Sequence, residues 1–272
     1  MPEFVVVAED DSDARMAFFL ANRIFEEEGP SWLTKAYLPC WIDLDGNSNP
    51  PEAEDAVPPP RCTRWDDLDD QNLDRRFLRS IRRDITGQRK GFDYSRAQKA
   101  KQLFVLLRKK RSVDALILVR DLDPKHSHPG HPRKRRESLE KVRSESPELV
   151  ILLATPFPKQ EAWVLNLFDP FEDEKPVLAA IRQELGFDPC HKAEELTATD
   201  ETAKRSAKRV VKELTANSRE RKEHCWVKTP FSILGDDDDE RGKETYLKAY
   251  LNEVREHLLP ILDPSFTPRK AR

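Results

Sequence analysis

Val113-Asp-Ala-Leu-Ile-Leu-Val119 runs directly into Arg120-Asp-Leu-Asp-Pro124. The first part is short, rich in branched apolar residues and bounded by charge, which is how a strand in a sheet covered on both faces reads. Two other runs share that character. Glu3-Phe-Val-Val-Val-Ala8 lies near the start, and Glu148-Leu-Val-Ile-Leu-Leu-Ala154 follows later. Each ends abruptly in polar or turn-forming residues.

Helical segments fall between these strands. Ala14 to Glu28 offers Phe18, Phe19, Ile24 and Phe25 for packing, with Ser12 as its expected N-cap, Asp13 in its first turn and Gly29-Pro30 as its stop. A further strand is expected around Trp41-Ile-Asp-Leu44, then a loop over 46–60 and a charged helical piece from Asp66 to Asp84. Ser95 with Gln98 forms a capping-box signature before a helix from Arg96 to Arg111. A basic helix is expected from Arg135 to Glu145, and a short one from Glu161. Strands alternating with helices predict an α/β fold with a mainly parallel sheet flanked by helices.

The rest of the chain reads as helical. Glu174 to Gly186, Asp200 to Thr215 and Lys243 to Leu262 are the expected helices, with Pro260 disturbing the last turn. The expected division is therefore a sheet domain over 1–170 and a helical extension over 171–272 packed on it.

Composition narrows the possible functions. The formal net charge of −3 argues against coating a polyanion through overall charge, although local basic patches remain available for phosphate contacts. Cys40, Cys62, Cys190 and Cys225 are widely separated, with no Cys-x-x-Cys pair, so reduced thiols are expected rather than a disulfide framework or structural zinc. No leader and no apolar run of membrane-spanning length is visible, so a cytoplasmic protein without membrane contact is expected. No Walker A loop, Gly-x-Ser-x-Gly or His-Glu-x-x-His motif is present, so the chain is not expected to hydrolyse ATP alone.

Acids at the strand ends carry the chemistry. Glu9 ends the first strand, and Asp121 and Asp123 end a later one. If those strands are parallel neighbours, all three converge on the rim where active residues gather in such sheets. Asp121 and Asp123 are two residues apart, so an extended backbone turns them the same way. Carboxylates brought this close repel each other, and a hard divalent cation, Mg²⁺ or Mn²⁺, removes the conflict. A cation so held binds a phosphate oxygen and activates water.

This order of motifs resembles the TOPRIM fold shared by topoisomerases, primases and nucleases of the OLD family, which places a Glu after its first strand and an Asp-x-Asp after a later one. Val-Val-Val-Ala-Glu9 and Leu-Ile-Leu-Val-Arg-Asp121-Leu-Asp123 match it. A closer resemblance is to a bacterial TOPRIM-like group often found beside ABC-type ATPases in antiphage defence loci. Its Glu-Ala-Trp motif corresponds to Glu161-Ala-Trp163. The family often has a glycine-bearing turn after its glutamate, whereas Glu9 is followed by Asp-Asp-Ser. The resemblance covers about 1–170. It implies a divalent-metal-dependent nuclease acting on DNA or RNA, with an ABC-type ATPase as partner in a defence complex. The alternative is a non-catalytic interaction subunit of such a complex.

Other residues have more than one reading. Glu161 is either a fourth ligand or a general base, or else an ordinary first-turn glutamate. Lys159 either steadies the reacting phosphate or is a solvated lysine. Trp163 reads as a packing residue. Among Asp10, Asp11 and Asp13, helix capping competes with a second metal site. His126, His128 and His131 follow the Asp-x-Asp in a loop suited to substrate contact or metal binding. Arg133, Lys134, Arg135 and Arg136 either grip a nucleic-acid backbone or start a solvated helix. Lys204, Arg205, Lys208, Arg209 and Lys212 either extend that track or form a soluble helix face. Asp236 to Glu240 reads as a solvated loop.

Overall fold

The computed structural model describes residues 2–33, 38–48, 60–70, 92–122, 132–236 and 239–265. Strands β1 (Glu3–Ala8), β2 (Cys40–Ile42), β3 (Thr63–Arg64), β4 (Ala115–Val119) and β5 (Val150–Ala154) form one sheet in the order β2-β1-β4-β5. Every pairing is parallel. β2 and β3 share one edge of β1: Glu3 to Val5 pair with Cys40 to Ile42, and Val7 and Ala8 pair with Thr63 and Arg64. The expected α/β fold with a mainly parallel sheet is what forms.

Alternation along the strands sorts the core into two layers. Phe4, Val6 and Ala8 of β1 and Ala115, Ile117 and Val119 of β4 pack with α1 (Asp11–Glu28) on one face. Val5, Val7, Leu116 and Leu118 face the other way, against α2 (Asp67–Asp70), α3 (Phe92–Arg108) and α4 (Pro132–Ser144).

Two expected helix starts are corrected. Asp10, not Ser12, caps α1: its Oδ1 accepts the N–H groups of Ser12 at 2.8 Å and Asp13 at 3.1 Å. α3 begins at Phe92, so Ser95 lies inside the helix rather than at its cap. The expected charged helix is described as far as Asp70, and its remainder, like most of the expected 46–60 loop, lies outside the described residues.

The helices after β5 are α5 (Gln160–Asn166), α6 (Lys175–Leu185), α7 (Ala207–Leu214), α8 (Arg219–Val227) and α9 (Leu247–Glu253). The helix expected from Asp200 begins only at Ala207, where Ser206 supplies the cap, because Thr197 and Ser206 form an antiparallel bridge just before it. α8 was not anticipated: Arg219-Glu-Arg-Lys-Glu-His carries no apolar residue to mark a buried stripe. α9 passes through a π-helical turn at Val254–Leu258 before Leu259–Leu262, where Pro260 cannot donate a regular backbone hydrogen bond.

These helices share the α1-side core and do not stand apart from it. Trp163 stacks on Tyr250 with centroids 5.4 Å apart, and the Tyr250 hydroxyl donates to Ala17 O at 2.8 Å. Glu253 Oε2 accepts the Leu153 N–H at 2.9 Å, so α9 covers the outer edge of β5. All four cysteines are free thiols. Among the described residues, no helix is long and apolar enough to cross a membrane.

Candidate carboxylate site at the strand ends

β1 and β4 are parallel neighbours, with Val7 opposite Leu118. From β1 the sheet continues to β2 on one side, and from β4 to β5 on the other. The crevice beyond their carboxyl ends is therefore a topological switch point, where ligands bind in open α/β sheets. Glu9 follows β1 there and Asp121 follows β4.

The β4 ladder extends past its last strand residue. Arg120 N–H donates to Ala154 O, and Leu122 N–H to Pro156 O, both at 2.9 Å. The alternation therefore continues and separates two neighbours. Arg120 falls on the α3 side, 5.7 Å from the Trp65 ring, with Nη1 2.8 Å from Glu9 Oε1 and Nε 3.2 Å from Asp93 Oδ1. The Glu9 contact is an ion pair without hydrogen-bond alignment, and Glu9 Oε1 is buried with no hydrogen bond. Asp121 falls on the α1 side. Its Oδ1 accepts the Gln160 N–H at 3.0 Å, and the Gln160 side chain donates to Ser12 Oγ at 2.9 Å, tying β4, α5 and α1 together.

Burial and neighbouring charge act on three carboxyl groups at this corner. Burial pushes Asp121 well above the usual aspartate range, and the charges of Asp13, Glu9 and Glu161 push it further, against the pull of Lys159. Asp13 is 4% exposed, and burial, with Asp10, Glu9 and Glu161, drives it well up too. Burial also raises Glu161, while Lys208, Lys159 and Lys222 draw it back. Negative charge here is held in a poorly solvated place without enough positive charge to settle it.

The expected residues are thus partly assembled. Glu9, Asp121, Glu161 and Lys159 reach the same corner, but Glu9 is engaged by Arg120 on the far side of the rim. Asp123, together with His126 and His128, lies outside the described residues, as does His131. Among the described residues, no three His, Cys, Asp or Glu side chains form a ready metal-ligand set. Sequence reasoning gave Asp13 mainly a capping role. Its spacing to Ala17, Leu20 and Ile24 places it on the buried stripe of α1, and that was the available signal. Arg120 was not singled out, although a cation directly after a buried strand is notable.

The basic run at the start of α4 is corrected in part. Arg133 and Lys134 are exposed. Arg135 instead bonds Asp93 at 2.8 Å. Arg136 is 8% exposed, bonds Glu140 and Thr155, and lies 4.3 Å over the Tyr246 ring. These two arginines hold the fold together and are not presented to a phosphate backbone.

Fold and site together define an α/β protein whose parallel sheet carries a carboxylate cluster at its switch point. Compared with known proteins, the chain matches no family model, no curated protein and no solved structure.

Proposed function

We propose that the chain is a divalent-metal-dependent phosphodiesterase of TOPRIM-like type, cleaving DNA or RNA at the carboxylate corner. The observation that carries this reading is the placement of Asp121, Asp13 and Glu161 at the switch point beyond β1 and β4, where Asp121 Oδ1 accepts the Gln160 N–H and Gln160 bonds Ser12, joining β4, α5 and α1 at one corner. Such a group suits a hard cation, Mg²⁺ or Mn²⁺, better than it suits itself. A bound cation supplies a Lewis acid for a phosphate oxygen and activates water. Asp121, fixed by the Gln160 N–H, and Asp13, in the first turn of α1, would hold it. Glu161, whose proton affinity burial raises, would be the residue to take a proton from water at this corner. Lys159, whose charge acts on both Asp121 and Glu161, would offset charge building on the phosphate. Glu9, anchored by Arg120, adds its charge from across the rim. The motif resemblance supports an ABC-type ATPase as a partner that restrains or delivers this activity in antiphage defence.

The test is Mg²⁺- or Mn²⁺-dependent cleavage of plasmid, single-stranded DNA and tRNA by the wild type and by Asp121→Asn. Metal-dependent cutting that the substitution abolishes is the expected result. Cutting that survives it removes the site. A chain that binds no Mn²⁺ and cuts nothing, yet co-purifies with an ATPase, is instead an interaction subunit.

A further inference from the structure

Beside the carboxylate corner opens a cleft of about 1280 Å³, walled by α1, α5, α7 and α8. It exceeds the roughly 300–1,000 Å³ of ordinary small-molecule sites. Ser12, Gln160 and Glu161 line it, so it opens directly onto the proposed chemistry.

The lining has two characters. Val164, Val211 and Trp226 are apolar and buried. Trp226 is only 8% exposed, and its indole N–H is buried without a hydrogen-bond partner. The rim is charged. Its acids are largely engaged: Glu201 with Lys208 at 2.6 Å, Glu213 with Arg209 at 3.1 Å, and Glu223 with Arg219 at 3.0 Å. Lys222 Nζ donates only to the neutral Asn217 Oδ1, at 3.2 Å, and Lys212, also on the cleft wall, is in no ion pair among the described residues. Lys208 and Lys222 also act on Glu161, so these cations lead toward the carboxylates.

A duplex carries one charge per roughly 1.7 Å of axis and calls for a broad basic face. A recess with a few lysines over an apolar floor suits a single strand, whose phosphates follow the cations and whose bases turn inward. We propose that this cleft binds a single strand of nucleic acid, its phosphates along Lys212 and Lys222 and a base against the apolar floor at Trp226, and leads it to the carboxylate corner. The inference rests on the phosphodiesterase reading. It places the backbone track on α7 and α8, away from Arg135 and Arg136.

Binding is measured by fluorescence anisotropy on the full chain, with labelled single-stranded DNA, single-stranded RNA and duplex DNA, in EDTA so that nothing is cut. Two lost phosphate contacts on a single strand reduce the salt slope by about 1.4 and weaken binding on the order of 25-fold at 0.1 M salt. That is the expected result for Lys212→Gln with Lys222→Gln, with an unchanged melting curve. Lys109→Gln, beyond α3 on the opposite face of the sheet, is expected to bind as the wild type does. Unchanged affinity in the double variant overturns the proposal, as does duplex binding at least as tight as single-strand binding. Lysine-dependent binding without any metal-dependent cutting upholds the cleft and sinks the phosphodiesterase reading. Cutting at unchanged KM in the double variant does the reverse.

Discussion

Asp121 Oδ1 accepts the backbone N–H of Gln160 at 3.0 Å, so the end of β4 and the first turn of α5 meet at a carboxylate. That carboxylate is also crowded by the charges of Asp13, Glu9 and Glu161. Asp121→Asn separates these two roles, because the amide oxygen still accepts from Gln160 while the charge is gone. Metal-dependent cleavage is expected to fall at least about 100-fold, since the metal's stabilisation of the reacting phosphate is worth several kcal/mol. Without metal, the same variant is expected to melt roughly 2–4 °C higher, as about 1 kcal/mol of relieved repulsion produces in a chain near this size. A lower melting point in EDTA would show that Asp121 is not under charge strain.

Asp93 behaves in the opposite sense. Burial alone would raise it, but the hydrogen bond from Arg135 and the charges of Arg135 and Arg120 outweigh burial and hold it below the usual aspartate range. An acid depressed in the fold stabilises the protein above its unfolded value, about 3.9, and that contribution fades as pH falls through the lower folded value. Asp93→Asn is therefore expected to cost about 2–3 kcal/mol at pH 7, less than the 3–5 of a fully buried pair, because its side chain retains 14% exposure. The gap between variant and wild type should begin to narrow below about pH 4 and close only as pH falls through the lower folded value. Urea titrations at pH 7 and in steps down to about pH 2 decide it, and a gap that stays constant throughout would mean the ion pairs are not its source.

The Glu-Ala-Trp sequence holds two residues with different work. Trp163 is fully buried, stacks on Tyr250, and donates Nε1–H to Thr245 O at 2.7 Å. Trp163→Phe is expected to lose about 1–3 kcal/mol through packing and the lost hydrogen bond, with turnover intact wherever the protein is folded. Glu161→Gln is expected to abolish cutting with little change in melting temperature. If Trp163→Phe lowered turnover at full folding, the indole would belong to the chemistry rather than the core.

What was legible from sequence follows from how each feature is encoded. The strands at Glu3–Ala8, Ala115–Val119 and Val150–Ala154 are local apolar runs, and their reading needed no partner. The convergence of Glu9 and Asp121 followed once those strands were taken as parallel neighbours. The side of the rim each acid occupies was not legible, because it depends on register: Val7 opposite Leu118 sets Glu9 beside Arg120 and turns Asp121 toward α1. Arg135 and Arg136 looked like phosphate contacts because their partners, Asp93, Thr155 and Tyr246, are remote in sequence. α8 escaped because its buried residues, Arg221, Cys225 and Trp226, include a cation held by Glu174 at 2.6 Å.

Glu253 tests whether the helices beyond residue 171 stand or fall with the sheet. Its Oε2 accepts the Leu153 N–H at 2.9 Å, and its Oε1 lies 2.8 Å from Arg143 and 3.5 Å from Arg136. Glu253→Ala leaves a buried strand N–H and a nearly buried guanidinium without this partner, an expected cost of about 3–5 kcal/mol. Glu253→Gln keeps an acceptor for Leu153 and should cost less, about 1–2 kcal/mol. Because α9 covers the edge of β5, the alanine variant is also expected to self-associate through that edge as it loosens. Tryptophan fluorescence and far-ultraviolet circular dichroism, followed together through urea unfolding, should give coincident single transitions for wild type and variants alike. Two separated transitions in the wild type would mean that the helical segment unfolds on its own, and that the shared core around Trp163 and Tyr250 does not bind it to the sheet.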